Sequence, residues 1–321
     1  MSRGKLLLPI VLAAAGLAAM APLGDALLRA RAASHEAAGH ATPWVRYVMV
    51  GLGGFRGVIS EVLWMRAARL QEQGRYFELV QLSDWINALD PKSADAWAFS
   101  AWNLAYNIGA MLPDPRAKLK WVWAGVSLLR DRALPANPEA PSLYRELGWL
   151  YQNKIGSSDD SAHLVYKLAL AAETEADLSG AKVAAPLDRA VMAEVEARFG
   201  KIDWRLPQAH AIYWAWKGLA LKPAGFEEEA LRRMVQQNLV VLVGAGKFTG
   251  STAKGEWGTA PDFDLLPALM SYYEERAATE PGERRVYCVF LDNVARQLDE
   301  AGRADLAKIA RARLAELTPQ L

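Results

Sequence analysis

Cysteine is almost missing: Cys288 stands alone in 321 residues, which excludes an internal disulfide framework and any cysteine-rich zinc site. Set between Tyr287 and Val289-Phe290, its thiol is expected to be buried and inert. Histidine is scarce too, at four residues. His35 and His40 flank Glu36 in an alanine-rich stretch that invites comparison with the zinc motif H-E-x-x-H. That motif needs histidines four apart on one helix face; five apart, the rings diverge by about 140°. No sign of charge is in excess, with Lys+Arg 37 against Asp+Glu 36. A formal net charge of +1 gives no whole-chain attraction to nucleic acid. Lys118, Lys120, Arg130 and Arg132, interspersed with Trp121 and Trp123, read as a solvated helix face. Gly244-Ala245-Gly246-Lys247 lacks both the earlier glycine of a phosphate loop (Val241 stands there) and the Ser or Thr after lysine (Phe248). The turn from Ile155 to Asp160 lacks calcium-loop spacing, and Ser158 or Asp159 is expected to cap a helix instead. No metal, nucleotide, triad or cofactor spacing is present, so the chain reads as non-enzymatic and without cofactors.

What the chain does have begins at its N-terminus. Arg3 and Lys5 precede Leu6 to Gly24, nineteen residues without a charge. At roughly 1.5 Å per residue, such a helix reaches across a bilayer. A basic start, an apolar run and small residues also describe a secretory signal, but Pro22 follows the best cleavage site, Ala19-Met20-Ala21. An uncleaved anchor is the favoured reading, and either outcome exports the rest: a bacterial-type inner membrane with the bulk of the chain periplasmic. Val45 to Gly57, with glycines at 51, 53, 54 and 57, is too short to span and is read as a packing helix.

From Ser60 onward the apolar residues recur at helical spacing. Leu63, Ala67 and Leu70 mark one helix and Leu79, Leu82, Ile86 and Leu89 the next, with Gly74 between them and Pro91 closing the pair. Trp97, Ala101 and Leu104 follow as large, small and large positions; Leu147-Gly148 with Tyr151, and Leu291, Ala295, Leu298, Gly302, Ala307 and Pro319, repeat the pattern. This resembles a divergent tetratricopeptide-repeat protein, a family of 34-residue helical hairpins. The resemblance covers about half the chain and carries no catalytic residue. It implies an all-α solenoid of helical hairpins, preceded by one N-terminal apolar helix, whose concave groove receives a protein or peptide. Arg66, Ser83 and Arg311 depart from the family pattern. The expected organisation is residues 1–24 anchor or signal, 25–44 tether, and 45–172 repeats. Residues 173–262 follow as an irregular insertion with an aromatic hairpin and a glycine–threonine loop, then 263–321 as terminal repeat-like helices.

Twelve tryptophans are the other excess. Trp85, Trp97, Trp121 and Trp149 either fill space between helices or anchor a partner. Ile202 to Gly218 concentrates Trp204, Arg205, His210, Tyr213, Trp214 and Trp216, with Arg205 expected over an indole. Partner or ligand contacts are therefore expected among Trp97, Trp102, Tyr106, Tyr151, Trp204, Arg205, His210, Tyr213 and Trp214. Two functions follow. One is a membrane-tethered scaffold for an envelope, secretion or surface-assembly complex. The other is a carrier of a small or glycan ligand in an aromatic pocket near Trp204–Trp216, with His210 and Asp203 as its polar groups. An enzyme would require His210 beside Asp203 or Glu146 in a cleft. A long open groove marks the first reading and a closed concave site the second.

Overall fold

The computed structural model describes residues 56–280 and 282–318. The apolar run at 6–24, the tether with His35 and His40, and most of the 45–57 strip lie outside them. Among the described residues no helix is long and apolar enough to cross a membrane. The described fold is all-α: twelve helices and one short antiparallel ribbon.

Helices α1 (Arg56–Glu72) and α2 (Tyr76–Leu89) are turned by Gly74 at φ +67°, a region open to glycine and costly for other residues. Ala67, Leu70, Leu79, Leu82 and Ile86 close with Ala96 into a small core of their own. Three longer helices follow: α3 (residues 94–111), α4 (residues 115–136) and α5 (residues 141–155). The Ser93 hydroxyl accepts from Ala96 N at the start of α3, and Asp114 accepts from Ala117 N at the start of α4, where Pro115 takes the first helical position. Each of the three carries a widened, π-type turn: Asn103–Ile108, Leu128–Ala133 and Leu150–Ile155. Such turns are rare and often sit at functional sites.

Gly125 lets α4 lie directly on α3. A Cβ there would stand 2.9 Å from the Ala101 carbonyl oxygen and 3.2 Å from Ala105 Cβ. Because backbone cannot swing away, Gly125→Val is expected to cost about 1–3 kcal/mol through overpacking, read as a lower urea midpoint at unchanged slope.

Next come α6 (His163–Leu178), α7 (Arg189–Phe199), α8 (Pro207–Ala220) and α9 (Phe226–Ala245). Helix α6 continues through Leu178, where the sequence pattern weakens from Glu173, because Thr174 and Asp177 turn inward as buried hydrogen-bonding groups. Its approach is set by Asp160 rather than by Ser158 or Asp159. The Asp160 carboxylate accepts from Ala162 N (2.9 Å), Lys154 Nζ (2.6 Å) and Tyr166 Oη (3.2 Å). Burial alone would raise its pKa, but these donors and the nearby Lys118 ammonium hold it down to about 2. Part of the basic face expected on α4 is tied up, Lys118 lying 3.6 Å from Asp160 and Arg132 3.3 Å from Asp84 and over the Trp97 ring, while Lys120 is exposed.

Helix α8 lies among α5, α7 and α9 and buries most of its circumference, including Ala209, His210, Tyr213, Trp214 and Gly218. Its small residues permit this: a Cβ on Gly218 would stand 3.0 Å from both Tyr144 Cβ and Leu231. The glycine–threonine segment after α9, expected as a loop, pairs in part as β1 (Lys247–Phe248) and β2 (Thr259–Ala260). Asp203 accepts from Phe248 N at 2.9 Å, and Thr252 Oγ1 donates to Glu175 at 2.5 Å, so the ribbon is fastened to the body.

The chain ends with α10 (Leu266–Thr279), α11 (Glu283–Glu300) and α12 (Ala304–Leu317), the last pair turned by Gly302 at φ +72°. Arg276 on α10 is buried between carboxylates from two other helices, Glu229 on α9 (2.7 Å) and Glu283 on α11 (2.8 Å). Gln236 donates to Glu283 at 3.0 Å. Cys288 is buried on α11, free and covered.

Candidate functional site

Leu206-Pro207 starts α8 and aims its first two turns at α6 and α5, so His210 enters the body next to both. The ring is fixed on three sides. Its Nε2 lies 2.9 Å from the Trp204 carbonyl oxygen and 3.1 Å from Thr174 Oγ1, and its plane stacks on Tyr151 at 5.0 Å and 22°. Since a carbonyl only accepts, Nε2 carries the proton and Nδ1 is left as a bare acceptor. Nδ1 is buried and has no partner among the described residues. Burial lowers the His210 pKa to about 4, against the smaller opposing pull of the Trp204 carbonyl and the Asp177 charge, so the ring is neutral at ordinary pH.

Around this ring opens a cavity of about 500 Å³. Tyr144, Tyr151, Tyr213 and Trp214 supply its aromatic surface. Burial pushes the Tyr151 hydroxyl up to about 12, which keeps it a neutral donor. The Trp214 indole N–H is buried beside the Tyr151 hydroxyl, to which it donates. The widened turns place two of the lining residues: Arg130 comes from that of α4 and Tyr151 from that of α5.

One wall is a strap, residues 179–188, which joins α6 to α7 and contributes Ala185, Pro186, Leu187 and Asp188. Asp177 clasps its far end: the carboxylate accepts from Leu187 N at 3.0 Å and from Arg189 at 2.9 Å. Asp188 N donates to Tyr213 Oη at 3.0 Å, and the Asp188 carboxylate caps α7 through Ala190 N at 2.9 Å. Asp177→Ala strips two bonds from this clasp. We expect trypsin to cut at the exposed Lys182 several-fold faster in the variant, with a stability loss of about 1–3 kcal/mol.

Of the nine residues singled out from sequence, the structure brings four together at this cavity: Tyr151, His210, Tyr213 and Trp214. Trp97 is core, its indole donating to the Pro91 carbonyl at 3.0 Å. Trp102 stays 44% exposed and stacks on Tyr106 at 4.1 Å, on another face. Trp204 is buried and donates to Glu196 at 2.7 Å. Arg205 lies over a phenyl, Phe248 at 4.8 Å, rather than an indole, and grips Asp203 through two bonds of 2.8 and 2.7 Å. Asp203 is thereby committed to Arg205 and to the ribbon. Burial alone would raise its pKa, but these bonds hold it below the usual carboxylate range. Glu146 pairs with Arg145 at 2.7 Å. Neither carboxylate stands beside His210; the one whose charge it feels is Asp177. Sequence reasoning missed Arg130, Tyr144, Glu173, Thr174, Asp177 and Lys217. The only local signal was polarity inside helical stretches, at Thr174 and Asp177, where an apolar residue fits the stripe. Among the described residues no group of histidine, cysteine or carboxylates is arranged to hold a metal ion. Compared with protein-family models and with curated protein sequences, the chain matches none.

Proposed function

We propose that the chain is a binding protein for a small ligand, taken up in the cavity beside α8. The observation that carries this reading is the meeting, in one concave space of about 500 Å³, of four aromatic rings with His210, whose buried Nδ1 has no partner among the described residues. Ligand cavities typically span roughly 300–1,000 Å³ and combine an apolar lining with a few convergent polar groups. Binding without turnover fits the three lining carboxylates, since Asp177 serves the strap, Asp188 caps a helix and Glu173 accepts from Trp123.

A second reading, a scaffold for protein partners, draws on a different face. Phe77 is 50% exposed and edge-on to Trp121, and the Trp102–Tyr106 stack is open as well. The hairpins α1–α2 and α11–α12, each turned by a positive-φ glycine, support a tetratricopeptide-type solenoid at the two ends. Between the ends, α5 packs chiefly on α8 rather than on the helix that follows it in sequence. The charge-free run at 6–24 supports an inner-membrane anchor that leaves the cavity on the periplasmic side.

Native mass spectrometry of the full chain, purified from membranes under mild conditions, tests the choice. A retained small molecule that is lost in Tyr151→Ala supports the cavity. A protein partner retained by Tyr151→Ala but lost in Trp102→Ala, with no small molecule in either, contradicts it.

A further inference from the structure

The cavity wall carries five ionisable charges of both signs: Arg130 and Lys217 against Glu173, Asp177 and Asp188. Four already have partners on the protein. Arg130 is held by Asp131 through bonds of 2.7 and 2.8 Å, and Asp177 by Arg189 and Leu187 N. Asp188 caps α7, and Glu173 accepts from Trp123 Nε1 at 3.3 Å. Lys217 makes no ion pair among the described residues. Its ammonium lies over the Tyr213 and Trp214 rings at 5.4 and 5.2 Å, so the aromatic faces that would cradle an incoming cation are already taken by the protein's own.

An anion entering this space meets three carboxylates, and a cation meets Arg130 and Lys217. Neither sign gains. A neutral molecule rich in hydroxyls does, because each hydroxyl donates to a carboxylate or accepts from a cation in a charge-assisted bond. The Tyr151–His210 stack offers flat apolar surface to the face of a ring. His210 Nδ1, on a ring that lines the cavity, lacks a donor, and a hydroxyl supplies one. Resting on the cavity as the binding site, we infer that its ligand is a neutral polyhydroxylated ring, a sugar or a cyclitol.

Isothermal titration of the full-length chain tests this with glucose, N-acetylglucosamine, cellobiose and myo-inositol, and with benzoate and choline as charged probes. At least one neutral probe should bind with Kd below about 1 mM, and the charged ones should give no saturable heat. Saturation by the sugars or by inositol separates the two sources. Glu173→Gln and Lys217→Met should each weaken binding about tenfold, the loss of one charge-assisted bond. Lys217 is half-buried at the edge of α8, so its variant serves even if the Glu173 change disturbs folding. Binding of charged probes alone overturns the inference and leaves the cavity reading standing. Neutral binding indifferent to both variants places the ligand elsewhere and overturns it too; silence from every probe overturns both.

Discussion

Arg276→Ala is expected to cost about 3–5 kcal/mol, the largest effect of any single change considered. The side chain is 3% exposed and serves two carboxylates on different helices, Glu229 and Glu283, at 2.7 and 2.8 Å. Burial of the guanidinium opposes its charge, yet the two carboxylates raise its pKa above the ordinary value, and Glu283 in turn is held below the usual range by Arg276 and Gln236 against its own burial. Truncation leaves the Glu283 carboxylate covered and without its cation, and the penalty is mostly that stranded charge. Replacing both partners, Arg276→Met with Glu283→Leu, is therefore expected to recover most of the loss, since no buried charge remains between α10 and α11. Urea unfolding of the two variants at neutral pH measures the difference; a single variant within 1 kcal/mol of the parent, on the scale of an exposed pair at about 0–1 kcal/mol, contradicts this view of the cluster.

The second large effect is a pH dependence owed to His210. Its pKa in the folded chain is about 4, against 6.5 for the unfolded one. As pH falls below 6.5 the unfolded chain takes up the proton first and the native state does not, so stability drops between about pH 6.5 and 4 and the loss levels off below. A difference of about 2.5 pH units at ~1.4 kcal/mol each gives roughly 3 kcal/mol at full extent. The groups around the ring are Thr174 and Asp177 on α6, Tyr151 on α5 and the Trp204 carbonyl; Asp177 is the charged one and works in the opposite direction. His210→Gln removes the titration. Comparing urea midpoints at pH 7 and pH 4.5, the parent should lose about 2–3 kcal/mol more than the variant. Asp160, Asp203 and Glu283 have depressed pKa values, so their contributions are lost at lower pH, below roughly 4, and in both proteins alike. Parallel pH profiles for parent and variant contradict a neutral, desolvated His210.

The sequence was most legible where local period and turn chemistry agree. Helices α11 and α12 begin and end where their apolar stripes do, since Leu291, Val294, Ala295 and Leu298 recur at helical spacing and Gly302 takes a conformation that few other residues tolerate. The aromatic stretch around α8 was legible as composition, and three of its rings, His210, Tyr213 and Trp214, line the cavity. What stayed hidden was the other side of the site. Arg130 and Glu173 look like ordinary helix-surface charges, and nothing in their spacing reveals that α4 and α6 meet α8 at one point. The widened turn of α4 hides Arg130 further, since a stripe counted at regular helical period slips out of register across it. Asp203 misled in the opposite sense: close in sequence to His210, it faces Arg205 and the ribbon instead.

The most direct test of the cavity as the functional site is the set of indole N–H signals in a ¹⁵N spectrum of the full chain, with Trp214 and Trp102 assigned through Trp214→Phe and Trp102→Phe. Trp214 Nε1 is buried beside the Tyr151 hydroxyl at the cavity, and Trp102 is exposed and does not line it. On adding the small-molecule extract of the source cells or the neutral sugars, the Trp214 signal should move in a saturable way while that of Trp102 stays in place. A Trp214 signal that never moves, with Trp102 shifting instead when the macromolecular fraction is added, contradicts the account.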